Sequence, residues 1–218
     1  MINKLPQIVY CERGNSSALM AEPINAFTNL AFLIAGYLGY KLLKNKGINF
    51  KELLVLPYML SLVGLGSFAY HTARNSITFI FDALPIYIFI VFVLFLILKE
   101  LLKGKLKASL VLSGFIIIEA VLLIYVPREF LNGSILHIAA IIFVFLIGWF
   151  ATKQYGTKVL KPLTGVIVLY AFAIFFRSID ASICFWFPIG THFLWHVLAA
   201  FAGYQGISLL TLTKSSKP

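Results

Sequence analysis

The stretch ITFIFDALPIYIFIVFVLFLIL, residues 77–98, carries one acidic or basic side chain, Asp82, in 22 consecutive positions. As a helix it is about 33 Å long, close to the thickness of a bilayer's hydrocarbon core. No water reaches the backbone at that depth, so every N–H and C=O must bond within its own segment. The run therefore reads as a helix despite its strand-rich Ile, Val and Phe content.

Six further runs of the same kind surround it, approximately 25–43, 53–70, 108–126, 134–151, 162–178 and 188–212. Together the seven predict an all-α membrane protein, a seven-transmembrane helix bundle forming one domain over residues 1–218. The chain is 61% hydrophobic and 12% charged, with mean hydropathy +0.94. One soluble core of this length cannot hide so much apolar surface, and the surplus must face lipid. No linker, heptad run, low-complexity tract or internal repeat divides the chain. Residues 1–21 lack the basic-then-apolar pattern of a cleavable signal peptide, so the first apolar helix is expected to serve as the targeting signal.

The net charge of +10 does not point to nucleic acid, because the basic residues lie mostly in short loops between apolar runs. Thirteen of the 18 Lys and Arg residues fall after the first, third, fifth and seventh spans. Lys4, Arg13, Arg74, Arg128 and Arg177 occupy the other side. By the positive-inside rule the C-terminus is cytoplasmic and the N-terminus faces outward or into a lumen. Lean loops and short tails point to a bacterial cell membrane, and nothing indicates an obligate protein partner.

Ionisable residues at membrane depth are costly and mark function. Glu22 and Asn25 open the first span, Ser67 and His71 close the second, and Asp82 lies in the first turns of the third. Arg177 and Asp180 close the sixth, and His192 and His196 begin the seventh. Seven alternating crossings put all of them on the outward side. His192 and His196 are i and i+4, stacked on one helix face, the spacing that lets two imidazoles hold one metal. Ser67 and His71 repeat that spacing. Three imidazoles (His71, His192, His196) with an open fourth position describe a catalytic Zn2+ site, since closed structural sites usually recruit cysteines. Such a site acidifies water and polarises a carbonyl. Asp82 is suited to orient a ligand or the water, or to carry a proton to a leaving group. Ser67 is placed to donate to an oxyanion, and its alternative is close helix packing beside Gly64 and Gly66. His137 opens the fifth span without an i+4 partner and reads as a packing residue. Glu119, in the fourth span, has no assigned role.

The stretches GLGSFAYHT (64–72), FDALP (81–85), FRSID (176–180) and THFLWHVLAA (191–200), with YCER (10–13) and AEPINAFTNLAFL (21–33), resemble the alkaline ceramidase family from Tyr10 to about Gln205. The wider superfamily includes adiponectin-receptor-type proteins and GPI-remodelling lipid hydrolases. The resemblance implies zinc on His71, His192 and His196, with Ser67 and Asp82 beside it, and hydrolysis of ceramide to sphingoid base and fatty acid. It also implies a Ca2+ site, with Glu12, Asn15 and Glu22 as the matching residues. Gln7, Ile8 and Val9 stand where an aspartate would precede the YCER stretch. Salt bridges of Glu12 and Glu22 with Arg13 or Arg177 are the alternative. A disulfide between Cys11 and Cys184 is implied as well. The expected activity is a zinc-dependent amidohydrolase acting on a membrane lipid. A receptor of the adiponectin-receptor kind and a lipid esterase are the competing readings. A transporter fits less well, because the cytoplasmic half is nearly bare of polar residues.

Overall fold

The computed structural model describes residues 10–127 and 129–214. Lys4, Arg128 and Lys217 of the charge tally, and the Gln7, Ile8 and Val9 stretch, lie outside the described residues. Seven helices are long and apolar enough to cross a membrane, and no strand occurs among the described residues. They are α1 (Pro23–Asn45), α2 (Lys51–Thr72), α3 (Ser76–Leu101), α4 (Lys105–Tyr125), α5 (Ile135–Tyr155), α6 (Leu160–Ile179) and α7 (His192–Lys214). The chain is an integral, multi-pass membrane protein built as a seven-helix bundle.

Pro23 occupies the first turn of α1, where its missing N–H costs nothing, and a turn at Asn29 divides that span. The short connection from α2 to α3 ends in a capping box. Asn75 Oδ1 accepts from the N–H groups of Ile77 (2.9 Å) and Thr78 (3.0 Å), and Thr78 Oγ1 accepts from the Asn75 N–H (3.1 Å). This fixes the start of α3 six residues before Asp82.

The largest boundary difference from the sequence reading is at α7, which begins at His192 rather than near Pro188. Gly190 adopts φ +70°, and a Cβ there would overlap the Asp180 carboxylate. Asp180 Oδ1 accepts from the backbone N–H groups of Thr191 (2.6 Å) and His192 (3.0 Å), and Oδ2 accepts from Cys11 N–H (3.2 Å). A buried carboxylate from the end of α6 thus caps α7, neutralises its positive end and holds the N-terminal segment.

Helix association in lipid relies on close packing through small residues. A Cβ on Gly36 of α1 would meet Pro57 O of α2 at 2.7 Å, and one on Gly64 of α2 would meet Asn29 O of α1 at 2.9 Å. Gly66 presses α2 onto α3 so closely that a Cβ would overlap the Phe81 carbonyl. That contact places neighbouring Ser67 and Asp82 on facing backbones. Helix α7 packs against α1, α2, α3 and α6, and α1, α2 and α7 are the most buried spans.

Candidate metal centre

His71, near the end of α2, and His192 and His196, one turn apart at the start of α7, converge. Each offers one nitrogen, and the three lie within 4.8 Å of one another. Their exposures are 0%, 1% and 1%. His71 Nε2, His192 Nδ1 and His196 Nε2 have no hydrogen-bond partner although buried. Orphaned buried polar atoms are rare and call for an occupant. The opposite nitrogens of two of the rings are engaged. His71 Nδ1 is 2.5 Å from Glu22 Oε2, and His196 Nδ1 is 3.0 Å from Thr28 Oγ1.

These partners determine the tautomers. An ionised carboxylate only accepts, so His71 carries its proton on Nδ1. Thr28 gives its one hydroxyl proton to the carbonyls of Ile24 (2.8 Å) and Asn25 (3.0 Å). It must then accept from His196 Nδ1–H. In both rings the Nε2 lone pair is left facing the cluster, as a metal ligand requires. Three neutral nitrogens at this spacing can hold a metal ion, and two are oriented by their partners.

Tyr10 covers one face of the cluster. Its ring lies 4.3 Å from the His192 ring and 5.0 Å from that of His71, centroid to centroid, with the Arg74 guanidinium 4.9 Å above it. Burial pushes the Tyr10 phenol well above its ordinary pKa, so it stays neutral. The Cys11–Cys184 disulfide, Cα–Cα 4.9 Å, ties this lid to the loop before α7.

Beside the cluster, α3, α4 and α5 enclose a cavity of about 580 Å³ lined by Tyr10, Asp82, Tyr87, Glu119, His137 and Arg177 among apolar side chains. Its wall residues Ile80, Leu84 and Leu123 are 56%, 51% and 52% exposed, so the cavity opens through the side of the bundle toward lipid. A family model described as Ceramidase matches residues 6–217. The chain belongs to the ceramidase family. Membership makes it one of a group of ceramide-hydrolysing membrane hydrolases that act on an amide bond. No curated protein matches the chain significantly.

The calcium expectation meets a different geometry. Glu12 Oε1 and Oε2 accept from the N–H groups of Ile24 (2.6 Å) and Asn25 (2.8 Å), capping the start of α1. Asn15 is exposed. Glu22 is fully buried, with Oε1 paired to Arg13 and Oε2 to His71. Arg13 also donates to the carbonyls of Ser16 and Ala18 (3.2 Å each) and His71 (3.3 Å). The positive charge beside Glu22 is the Arg13 guanidinium. Glu12 and Glu22 meet at Asn25, whose N–H donates to Glu12 Oε2 and whose side-chain amide donates to Glu22 Oε2 (3.2 Å). The salt-bridge alternative holds for Glu22 with Arg13, but Glu12 is a helix cap. Burial alone would raise the Glu22 pKa, but His71 and Arg13 outweigh it and hold the carboxyl below its ordinary range.

Ser67 is 2% exposed beside the α2–α3 contact, and Asp82 is 9% exposed on the cavity wall. His137 packs, with Nδ1 2.8 Å from Tyr170 Oη and its ring 4.5 Å from that of Trp195. Thr28 and Asp180 are the functional partners that pattern reading did not assign. Each acts on a residue 11 or more positions away, so no local motif announces it.

Proposed function

We propose that the protein is a zinc-dependent amidohydrolase that cleaves the N-acyl bond of ceramide, releasing sphingoid base and fatty acid. The observation that carries this reading is the set of three orphaned imidazole nitrogens, two of whose rings pack against Tyr10, a residue that also lines the apolar cavity beside them. An all-nitrogen, cysteine-free triad suits catalytic rather than structural zinc. Zinc held by His71, His192 and His196 supplies a Lewis acid for the amide carbonyl and lowers the pKa of water at the site.

The protein's own groups do the rest. Glu22 and Thr28 keep the ligand lone pairs inward. Tyr10 excludes bulk water from above, which strengthens the electrostatics beneath it. Apolar walls on α3, α4 and α5 take the two hydrocarbon chains of a lipid arriving sideways from the bilayer. Asp82 accepts the proton of the attacking water and returns it to the departing amine, which must leave protonated. The Ser67 hydroxyl donates a hydrogen bond to the carbonyl oxygen as negative charge develops there. Both acting groups reach the amide from facing backbones joined at Gly66.

The lysine distribution supports an orientation with this site at the outward or lumenal membrane surface. In a bacterial cell membrane that is the outer face. Cysteines introduced in the Lys103 and Phe185 loops are expected to label only from the inside and the outside, respectively.

The test measures metal content and fatty-acid release from ceramide and from a matched ester lipid. Stoichiometric zinc with amide cleavage is expected, and His196→Ala should lose both. Full turnover by His196→Ala rejects the ligand set. Preference for the ester points to a lipid esterase, and zinc without any lipid hydrolysis points to a receptor.

A further inference from the structure

Glu119 takes no part in the scheme above. It is the only Asp, Glu, Lys or Arg in α4 after Lys107, and a carboxyl at membrane depth is costly unless it faces a partner or a cavity. Its side chain is 3% exposed, and Oε2 has no hydrogen-bond partner. Tyr87, across on α3, stands close enough to interact with the same carboxyl. No Lys, Arg or His pairs with it among the described residues.

Glu119 and Tyr87 line the same cavity of about 580 Å³ that is bounded by Tyr10 and Asp82. Depth along the helices is informative. Asp82 lies six residues after the start of α3, and Glu119 lies six before the end of α4. At 1.5 Å per residue each is about 9 Å below its helix end. The short turn between Leu101 and Lys105 sets the register of the two helices. Counted from it, Glu119 and Tyr87 stand at one level, and Asp82 lies five residues, about 7.5 Å, nearer the outer ends.

An unspent carboxyl oxygen in a mostly apolar cavity selects its ligand. An anionic headgroup is repelled by an ionised carboxylate, and plain hydrocarbon leaves the oxygen unpaired. A hydroxyl satisfies it in either protonation state, because it can donate to the carboxylate or exchange both roles with the acid. Glu119 and Asp82 line the same cavity, so one bound lipid can reach both, with that hydroxyl deeper than the group beside Asp82.

We propose that Glu119, beside Tyr87, is a substrate-binding residue that hydrogen-bonds a hydroxyl group of the N-acyl lipid held in this cavity. The hydroxyl can come from the sphingoid base or from the α-carbon of the acyl chain, and the chemistry of recognition is the same. The inference rests on the amidohydrolase reading and adds the specificity of its cavity.

The experiment compares kcat/KM of the full-length protein on ceramide, its 1-deoxy and 3-deoxy analogues, and the 2-hydroxyacyl ceramide. A site built to bond a hydroxyl rejects the analogue that lacks it. Loss of the recognised hydroxyl should therefore cost the wild type at least about tenfold. Which lipid of the four stands apart identifies the source of the hydroxyl. Glu119→Leu should lose a similar factor on the preferred lipid and nothing on its deoxy partner, so the ratio falls to near one. Glu119→Gln, which can still accept and donate, should keep part of the preference. Equal rates on all four lipids by the wild type overturn the proposal even if no variant folds. A uniform loss on all four in Glu119→Leu, with lowered thermal stability, also overturns it and makes the Glu119–Tyr87 contact a tie between helices. A wild type that hydrolyses none of the four sinks the amidohydrolase reading and the subsite with it.

Discussion

The bundle has two unlike halves. On the side of α1, α2 and α7 the helices touch backbone to backbone at Gly36 and Gly64, and Gly66 joins α2 to α3 at the boundary of the two halves. The polar groups there are linked in series, from Arg13 to Glu22 to His71, and from Thr28 to His196. The three nitrogens that face the cluster are left over, as are Asn25 Oδ1, Asn29 Oδ1 and the Tyr70 hydroxyl. On the side of α3, α4 and α5 a cavity of about 580 Å³ replaces close packing, and its walls are exposed Ile and Leu. Under the proposed function the contrast follows from two demands on one membrane protein. Three ligands would have to hold a metal within a few tenths of an ångström, which asks for closely packed supports. A two-chained lipid must enter sideways, so the facing wall is apolar and open.

Substitutions should therefore be severe in the first half and mild in the second. The largest effect is expected from His71→Ala, which removes a ligand supported by Glu22. Metal content should fall to background and ceramide turnover by about a thousandfold or more, as several kcal/mol of charge stabilisation is lost. Metal retained at full stoichiometry would place the centre elsewhere. Next is Glu22→Ala, which leaves the buried Arg13 unpaired and the His71 ring unanchored. About 3–5 kcal/mol of stability should be lost in denaturant titration, together with about 10–100-fold in metal affinity. Gly66→Ala forces a methyl group against the Phe81 carbonyl, and neither backbone can yield without moving a helix. About 1–3 kcal/mol is expected, read as a lower melting temperature with reduced turnover, because Ser67 and Asp82 are displaced together.

In the open half, Leu123→Ala should change stability by less than about 0.5 kcal/mol, as for an exposed substitution away from the core. A loss equal to that of Gly66→Ala would mean the two halves are packed alike. The smallest effect concerns calcium. Because Arg13 supplies the positive charge beside Glu22, about millimolar calcium should leave the melting temperature and turnover unchanged in the zinc-loaded protein. A clear stabilisation by calcium would show that a set of oxygen ligands exists apart from the carboxylates already paired.

The legible part of the site was the part written in local spacing. His192 and His196 share a helix face because i and i+4 always do, and the α7 boundary error of four residues did not disturb that. The shared depth of His71, Asp82 and the α7 pair followed from counting spans. The role of Glu22 was half legible. Its pairing with Arg13 stood as the alternative to a calcium ligand, but its bond to His71 was not read. Asp180 was placed at the right depth, yet nothing near it in the chain indicates that it caps a helix beginning 12 residues later. Glu119 stood out as a costly carboxyl, but its cavity and its Tyr87 neighbour became visible only once α3 and α4 were set side by side.

By itself the sequence determined that the chain crosses a membrane seven times and that its imidazoles and carboxyls gather near one surface. Hydrophobic length and helical period are properties of a segment and its immediate neighbours. Tertiary structure alone decided which carboxyl meets which imidazole, which guanidinium stands beside Glu22, and which wall remains open. Those outcomes depend on how each helix is rotated about its own axis. That rotation is set by contacts of small residues between segments far apart in the chain.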